Sequence, residues 1–365
     1  MKWAVQKLEE IVSIKTGKLD SNAAVPNGQY PFFTCDPQTL AINTYAYDTE
    51  AVLLAGNNAS GNYTAKYYHG KFNAYQRTYI IESIDKGKLD IHYFLYALNE
   101  QLALLKSISS GSTTKFLTMS MLKPLSVPCP TISVQHRIAS ILSAYDDLIE
   151  NNRRQIKLLE EAAQRLYREW FGELRFPGHE GVKVMDGVPE GWKIETVGSL
   201  LRKIPRTKQI LTSDYQVSGN IPIVDQSRDF IAGYTNDTDA CVKPQDAIIV
   251  FGDHTRILKY ITFPFAKGAD GTQLIVSNSD CMPQSLFYFS IIHIDLTNYH
   301  YARHFKYLKE STILVPTKSI ANAYDNIVHP IMKRIQVLRD SCVKAKEARD
   351  RLLPILMNRE MEVSE

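Results

Sequence analysis

No C-x-x-C pair occurs in the 365 residues, and the five cysteines (Cys35, Cys129, Cys241, Cys281 and Cys342) are odd in number and widely spaced. That pattern argues against a disulfide framework and a cysteine zinc site, and it suits a reduced cytoplasm. No apolar run approaches the ~20 residues of a membrane span. The opening MKWAVQKLEEIVSIKTG has neither a long apolar core nor a small-residue cleavage site, so a signal peptide is not expected. The stretches NNASGN (57–62) and KGADGT (267–272) lack the lysine and Ser/Thr ending of a phosphate loop. There is no N-P-P tetrapeptide of amino-methyltransferases and no G-x-G cofactor loop. His300 and His304 stand four apart, but no third ligand accompanies them. Neither a metal site nor catalysis by this chain alone is expected. Excess charge is lacking too: the net charge is +3, with an ordinary 22% charged and 44% apolar residues. Any nucleic-acid contact must therefore come from local basic clusters.

What is present begins with a seam between Val134 and Phe171. Ile138, Leu142, Tyr145, Ile149, Asn152, Ile156, Leu159, Ala163, Leu166 and Trp170 alternate three and four apart. This is coiled-coil spacing, broken only by the polar Asn152. It predicts one helix of roughly 50 Å at 1.5 Å per residue. Such a helix cannot bury its seam alone. A second stretch supplies a partner: Val328, Ile331, Ile335, Leu338, Cys342, Ala345, Leu352 and Leu356, with Arg349 as its misfit. An antiparallel pair is expected, with Asn152 helping to set its register.

The segments before the two helices echo each other. Trp192 matches Trp3, and GNIPIV (219–224) matches GQYPFF (28–33). QDAIIVFGD (245–253) matches TEAVLLAGN (49–57), and AKGADGTQLIV (266–276) matches FNAYQRTYII (72–81). LKESTILVPT (308–317) matches MLKPLSVPCP (121–130), and the seams align at a constant offset of 186 residues. Short apolar runs between Gly, Asn and Pro read as strands and turns. The chain is thus expected to be α+β: two copies of a strand-rich domain joined by two long antiparallel helices, with pseudo-two-fold symmetry.

This order of motifs resembles the specificity subunit of type I restriction-modification enzymes. The resemblance rests on W-x4-L/V-x2-I/L opening each half and G-x-x-P about 25 residues later. It rests also on the apolar strands AVLLAGN and AIIVFGD, and on a strand into Pro leading into a helix whose start carries Gln135 and Ile138. The second copy has Asn322 and Asn326 and no matching Gln, a departure from the pattern. The resemblance implies target-recognition domains at 1–133 and 192–320, a central coiled-coil helix at 134–172, a linker at 173–191 and a distal helix at 321–365. Each domain would read half of an asymmetric bipartite target in double-stranded DNA. The helices would set the spacer and dock methyltransferase subunits, two in number by analogy, with restriction subunits able to join. S-adenosylmethionine, and ATP with Mg where cleavage occurs, would belong to those partners. A specificity chain whose partner fuses methyltransferase and nuclease fits the same residues, as, more remotely, does a coiled-coil adaptor that binds no DNA.

Candidate contacts are polar loops, since Lys and Arg hold phosphates, Asn and Gln suit adenine and Arg suits guanine. In the first half these are Lys15, Lys18, Asn57, Asn58, Gln76, Arg77, Thr114 and Lys115. In the second they are Arg202, Lys203, Arg206, Lys208, Arg228, His254, Arg256, Lys267, Thr272, Tyr301, Arg303 and Lys306. Each loop has a bland alternative as a solvated turn.

Overall fold

The computed structural model describes residues 3–109, 111, 114–205, 207–297 and 303–358. They form two compact units, Met1–Asn151 with Cys342–Glu365, and Asn152–Ser341. The division passes through both long helices, so each unit holds a part of each.

The first unit contains β1 (Val5–Lys7), β2 (Val12–Thr16), β3 (Tyr30–Phe33), β4 (Leu40–Ile42), β5 (Tyr47–Ala55), β6 (Ala65–Ala74), β7 (Thr78–Ser83), α1 (Ile91–Asn99) and β8 (Ser126–Pro128). A six-stranded sheet runs β2-β7-β5-β6-β3-β4. Only the β3–β6 contact is parallel. β1 pairs separately with β8, which leads the chain into α2 (Ile132–Tyr167). Along β5, Val52 and Leu54 face α1 and the helix start, while Ala51 and Leu53 fill the opposite face. This is the period of two expected of a strand buried on both sides.

The second unit repeats the plan. β9 (Lys193–Thr196) pairs with β17 (Thr312–Val315), which leads into α4 (Lys318–Met357). Between them lie β10 (Ile221–Val224), β11 (Gly233–Thr235), β12 (Cys241–Val242), β13 (Ile248–Gly252), β14 (Leu258–Ile261), β15 (Phe265–Lys267), β16 (Thr272–Ile275) and α3 (Gln284–Ile292). Here the sheet is split in two, β11-β10-β15-β12 and β14-β13-β16. Two prolines fall at the split, Pro244 between β12 and β13 and Pro264 between β14 and β15. Each lacks an N–H, and at both places the first unit runs an unbroken strand, β5 and β6.

Seam residues of both helices pack inside each unit. α2 has no Gly or Pro inside it. Within the first unit Ile138 and Leu142 are buried with Leu353, Leu356 and Met357. Ile149 O accepts from Cys342 Sγ at 3.7 Å, and the misfit Arg349 meets Asp146. Within the second unit Ala163 is buried with Val328 and Ile335, and Ile156, Leu159 and Leu166 pack against them. Asn152 Nδ2 donates to Ser341 Oγ at 3.0 Å, and Arg339 donates to Glu160 at 2.7 Å. In both units rising numbers on α2 meet falling numbers on α4, so the helices are antiparallel. α2 closes in a wider π turn, Arg168–Gly172, which turns Trp170 and Phe171 into the second core. The stretch expected as a linker is packed there too: Phe176 is buried, its ring 4.8 Å from Trp192. Among the described residues no helix is long and apolar enough to cross a membrane.

Candidate nucleic-acid interface

In the first unit one glycine joins the polar loops. Gly56 follows β5; its N–H donates to Arg77 O and its carbonyl accepts from Leu117 N–H, both at 2.8 Å. No side chain fits, because a Cβ would lie 2.3 Å from Arg77 O. Beyond it, Asn57 and Asn58 pair antiparallel with Phe116 and Lys115. On the other side Leu19 bridges Tyr75, and Gln76 donates to Leu19 O and to Asp20 Oδ1, both at 2.8 Å. Loops picked separately from the sequence, around residues 17, 57, 76 and 115, thus meet at one edge.

The second unit builds the same frame on Asp253. Its N–H donates to Gly271 O at 2.6 Å, and its carbonyl accepts from His304 N–H at 2.9 Å. Gly56 therefore corresponds to Asp253, one residue beyond the Gly252 that letter matching selects. Asp253 is buried, and its carboxylate accepts from Phe305 N–H at 2.8 Å. Gln226 laces the loops together: Oε1 accepts from His254 N–H at 3.1 Å and Nε2 donates to Asp270 O at 3.0 Å. Thr255 Oγ1 donates to Gln226 O at 2.7 Å. The segments holding Arg228, His254, Arg256, Lys267 and Arg303 are so brought together.

Not every candidate joins these edges. Arg202 and Lys203 instead line a cavity of about 810 Å³ at the other end of β13, with Lys243, Lys318 and Ile248. Lys208 is exposed but tied to Asp237 at 2.6 Å. Thr272 is buried and its hydroxyl has no partner among the described residues, so it offers nothing to a ligand. Asn58 Oδ1 is spent on its own turn, accepting from Ser60 N–H at 2.9 Å and Asn62 N–H at 3.1 Å. Asn57 Oδ1 is buried without a partner among the described residues. Lys15 pairs with Glu82 at 2.6 Å, and Lys306 reaches Glu310 at 4.0 Å. Arg256 holds Leu296 O at 3.3 Å through Nη1, from a left-handed backbone with φ of 62°. Burial pushes the Lys267 ammonium below its usual pKa. Thr114 is exposed and Lys115 half-buried. Lys18, Arg77, Arg228 and Arg303 are exposed and form no ion pair with another described residue, leaving their charge for an anion. Arg206 and Tyr301 lie outside the described residues, as does His300.

One loop of the first unit escaped the sequence reading. Residues 34–39, between β3 and β4, lie beside the frame, with Cys35 Sγ 3.6 Å from Arg77 O. The signal was available: GQYPFF matches GNIPIV, so TCDPQT must stand where DQSR stands.

Residues 1–161 match the family model described as "Type I restriction modification DNA specificity domain". The specificity subunit of the type I restriction enzyme EcoDI of Escherichia coli is 37% identical over 163 residues, 45% of this chain and 35% of that one. The first 161 residues are thus similar to the specificity domain of type I restriction-modification enzymes. A second relative, the MjaIX specificity subunit of Methanocaldococcus jannaschii, is 26% identical over 298 residues, covering 75% of this chain and 69% of its own. The crystal structure of a type I S subunit from M. genitalium superposes with a TM-score of 0.67 at 16% identity, over 100% of this chain and 97% of that one. At that identity the likeness shows the fold alone. The E. coli match spans about a third of that relative's length, 35%.

Proposed function

We propose that the chain is the DNA-sequence specificity subunit of a type I restriction-modification complex. Residues 1–133 and 192–320 would each read one half of an asymmetric, bipartite target, as pseudo-dimeric readers contact separated half-sites. The observation that carries this reading is one backbone frame built twice, around Gly56 and around Asp253, with different side chains on it. Equal frames present two loop sets to equivalent surroundings, and unequal side chains give unequal half-sites. Free cations such as Lys18 and Arg77, or Arg228 and Arg303, supply phosphate contacts and Arg–guanine pairs. The helices 134–172 and 321–365 would set the spacer and dock two methyltransferase subunits, which carry S-adenosylmethionine and methylate adenine at N6. Restriction subunits with ATP and Mg would join the same assembly in the cytoplasm. This chain contributes recognition, and the chemistry belongs to its partners.

The test is DNA binding by the assembled complex as salt is varied. Reversing the charge of both Arg228 and Arg303 should weaken binding and flatten the dependence on log salt by about 0.9 for each phosphate no longer neutralised. An unchanged slope and affinity would remove this edge from the interface.

A further inference from the structure

The loops after β3 and β10 share a contact that sequence reading does not reveal. Lys66 of β6 lies opposite Leu53, and Lys259 of β14 lies opposite Val250. Leu53 and Val250 each stand three residues before the frame residue, Gly56 or Asp253. The two lysines therefore occupy one and the same position of the duplicated sheet. Lys66 Nζ donates to Asp36 O and to Thr39 Oγ1, both at 3.2 Å. Lys259 Nζ donates to Asp225 O at 2.8 Å and to Asp229 O, with the Asp225 carboxylate 3.8 Å away. Each ammonium thus holds residues on both sides of the tip of the loop that follows the G-x-x-P strand.

The loops agree in a second respect. In each, an aspartate carboxylate accepts the N–H two residues on: Asp36 from Gln38 at 2.7 Å, Asp225 from Ser227 at 2.9 Å. Such turns fix the backbone locally. The Lys259 side chain is only 4% exposed, a costly place for a charge unless its oxygens hold it. Burial lowers the pKa of both lysines, opposed by Asp36 at Lys66 and by Asp225 and Asp229 at Lys259. Beyond each clamp the tip is exposed, carrying Gln38 in one loop and Arg228 in the other.

We propose that Lys66 and Lys259 are positioning residues, each holding the tip that carries Gln38 or Arg228 ready for one half-site of duplex DNA. The inference rests on the function proposed above. Neither lysine touches DNA. Each removes freedom from a tip before binding, so less is lost when the tip meets a base or a phosphate.

The experiment maps N6-methyladenine in the host with the full-length chain as wild type, Lys66→Met, Lys259→Met and the two Lys→Arg variants. Lys259→Met should lower the preference for the specified base by about tenfold at one or two positions of one half-site, the size of one base-specific hydrogen-bonded pair. Lys66→Met should do the same in the other half only, and Lys→Arg should restore the motif in part. A motif left intact in both Met variants overturns the inference while the specificity reading stands. Blurring of both halves by either variant overturns it too, because the lysine would then serve the fold in general. A wild-type chain that directs no split motif overturns the specificity reading itself. If a Met variant fails to fold, Arg228→Ala and Gln38→Ala decide. Each must alter its own half-site, and an unchanged motif in both overturns the inference.

Discussion

In the first unit Gln135, fully buried near the start of α2, accepts from Asp90 N–H at 2.9 Å and donates to Lys88 O at 2.8 Å and Pro130 O at 2.9 Å. In the second unit the seam offset puts Ala321 at that position, also fully buried. The partner changes with it. Asp90 caps α1, whereas the residue capping the equivalent α3 is Pro283, which has no N–H to satisfy. A missing acceptor is harmless where the donor is missing too. A second polar set was exchanged whole, and a third only in part. Tyr96 OH donates to Asp146 at 2.7 Å, and Asp146 meets Arg349; the equivalent positions are Phe289, Met332 and Ala163, all buried in one apolar cluster. Tyr67 OH donates to Glu50 at 2.8 Å, but Tyr260 faces a site where Glu50 is replaced by Ala247, and its hydroxyl is left buried without a partner among the described residues. Polar groups in these cores changed as whole sets at Gln135 and at Tyr96, and only in part at Tyr67, while the backbone plan stayed.

The largest effect that would break this comparison is at Gln135. Gln135→Ala leaves one donor and two acceptors unpaired and should cost about 3 kcal/mol at roughly 1 kcal/mol or more per group, read by urea unfolding. Adding Asp90→Pro removes the orphaned donor, so the double variant should lose less than the sum of the singles. Additivity would mean that the two positions are not a set. A smaller contrast lies in the tyrosines. Tyr67→Phe should cost about 1 kcal/mol by removing a hydrogen bond. Tyr260→Phe should be neutral or stabilising, since it deletes a hydroxyl with nothing to bind; destabilisation there would show a partner at the ring.

The smallest effect is in acid. The Glu50 carboxyl sits below its usual 4.5, because burial, which raises it, is outweighed by hydrogen bonds from Tyr67 and Lys86. A folded pKa below the unfolded one means stabilisation that is present above 4.5 and lost as pH falls through the folded value. Amides of β5 should therefore lose exchange protection as pH drops below 4.5, while those of β13, with Ala247 at that place, should not lose it for this reason.

The sequence carried the plan of the molecule and much less of its surface. Seam spacing pointed to two long helices and their antiparallel pairing, because heptads are local and periodic, whereas the partner of the misfit Arg349, Asp146, shows only in the fold. Strand matching located the duplicated sheet, yet it slipped by one residue at Gly56, since a shared glycine outweighed the pairing that only the folded sheet displays. Pro244 and Pro264 were legible as breakers, but not that a sheet divides in two at them. Among the loops, Arg77, Arg228 and Arg303 could be named only as candidate contacts; that they form no ion pair with another described residue shows in the fold alone. Asn58 and Thr272 could not be discounted, because turn closure and burial depend on neighbours far along the chain. The Lys66 and Lys259 clamps were hidden for the same reason: each lysine lies 27 or more residues from the loop it holds.

The claim that each unit reads its own half-site is tested most directly by exchanging residues 1–130 for those of another specificity chain and mapping N6-methyladenine in the host. The account predicts a split motif with one half replaced and the other half unchanged. A motif altered in both halves would contradict it.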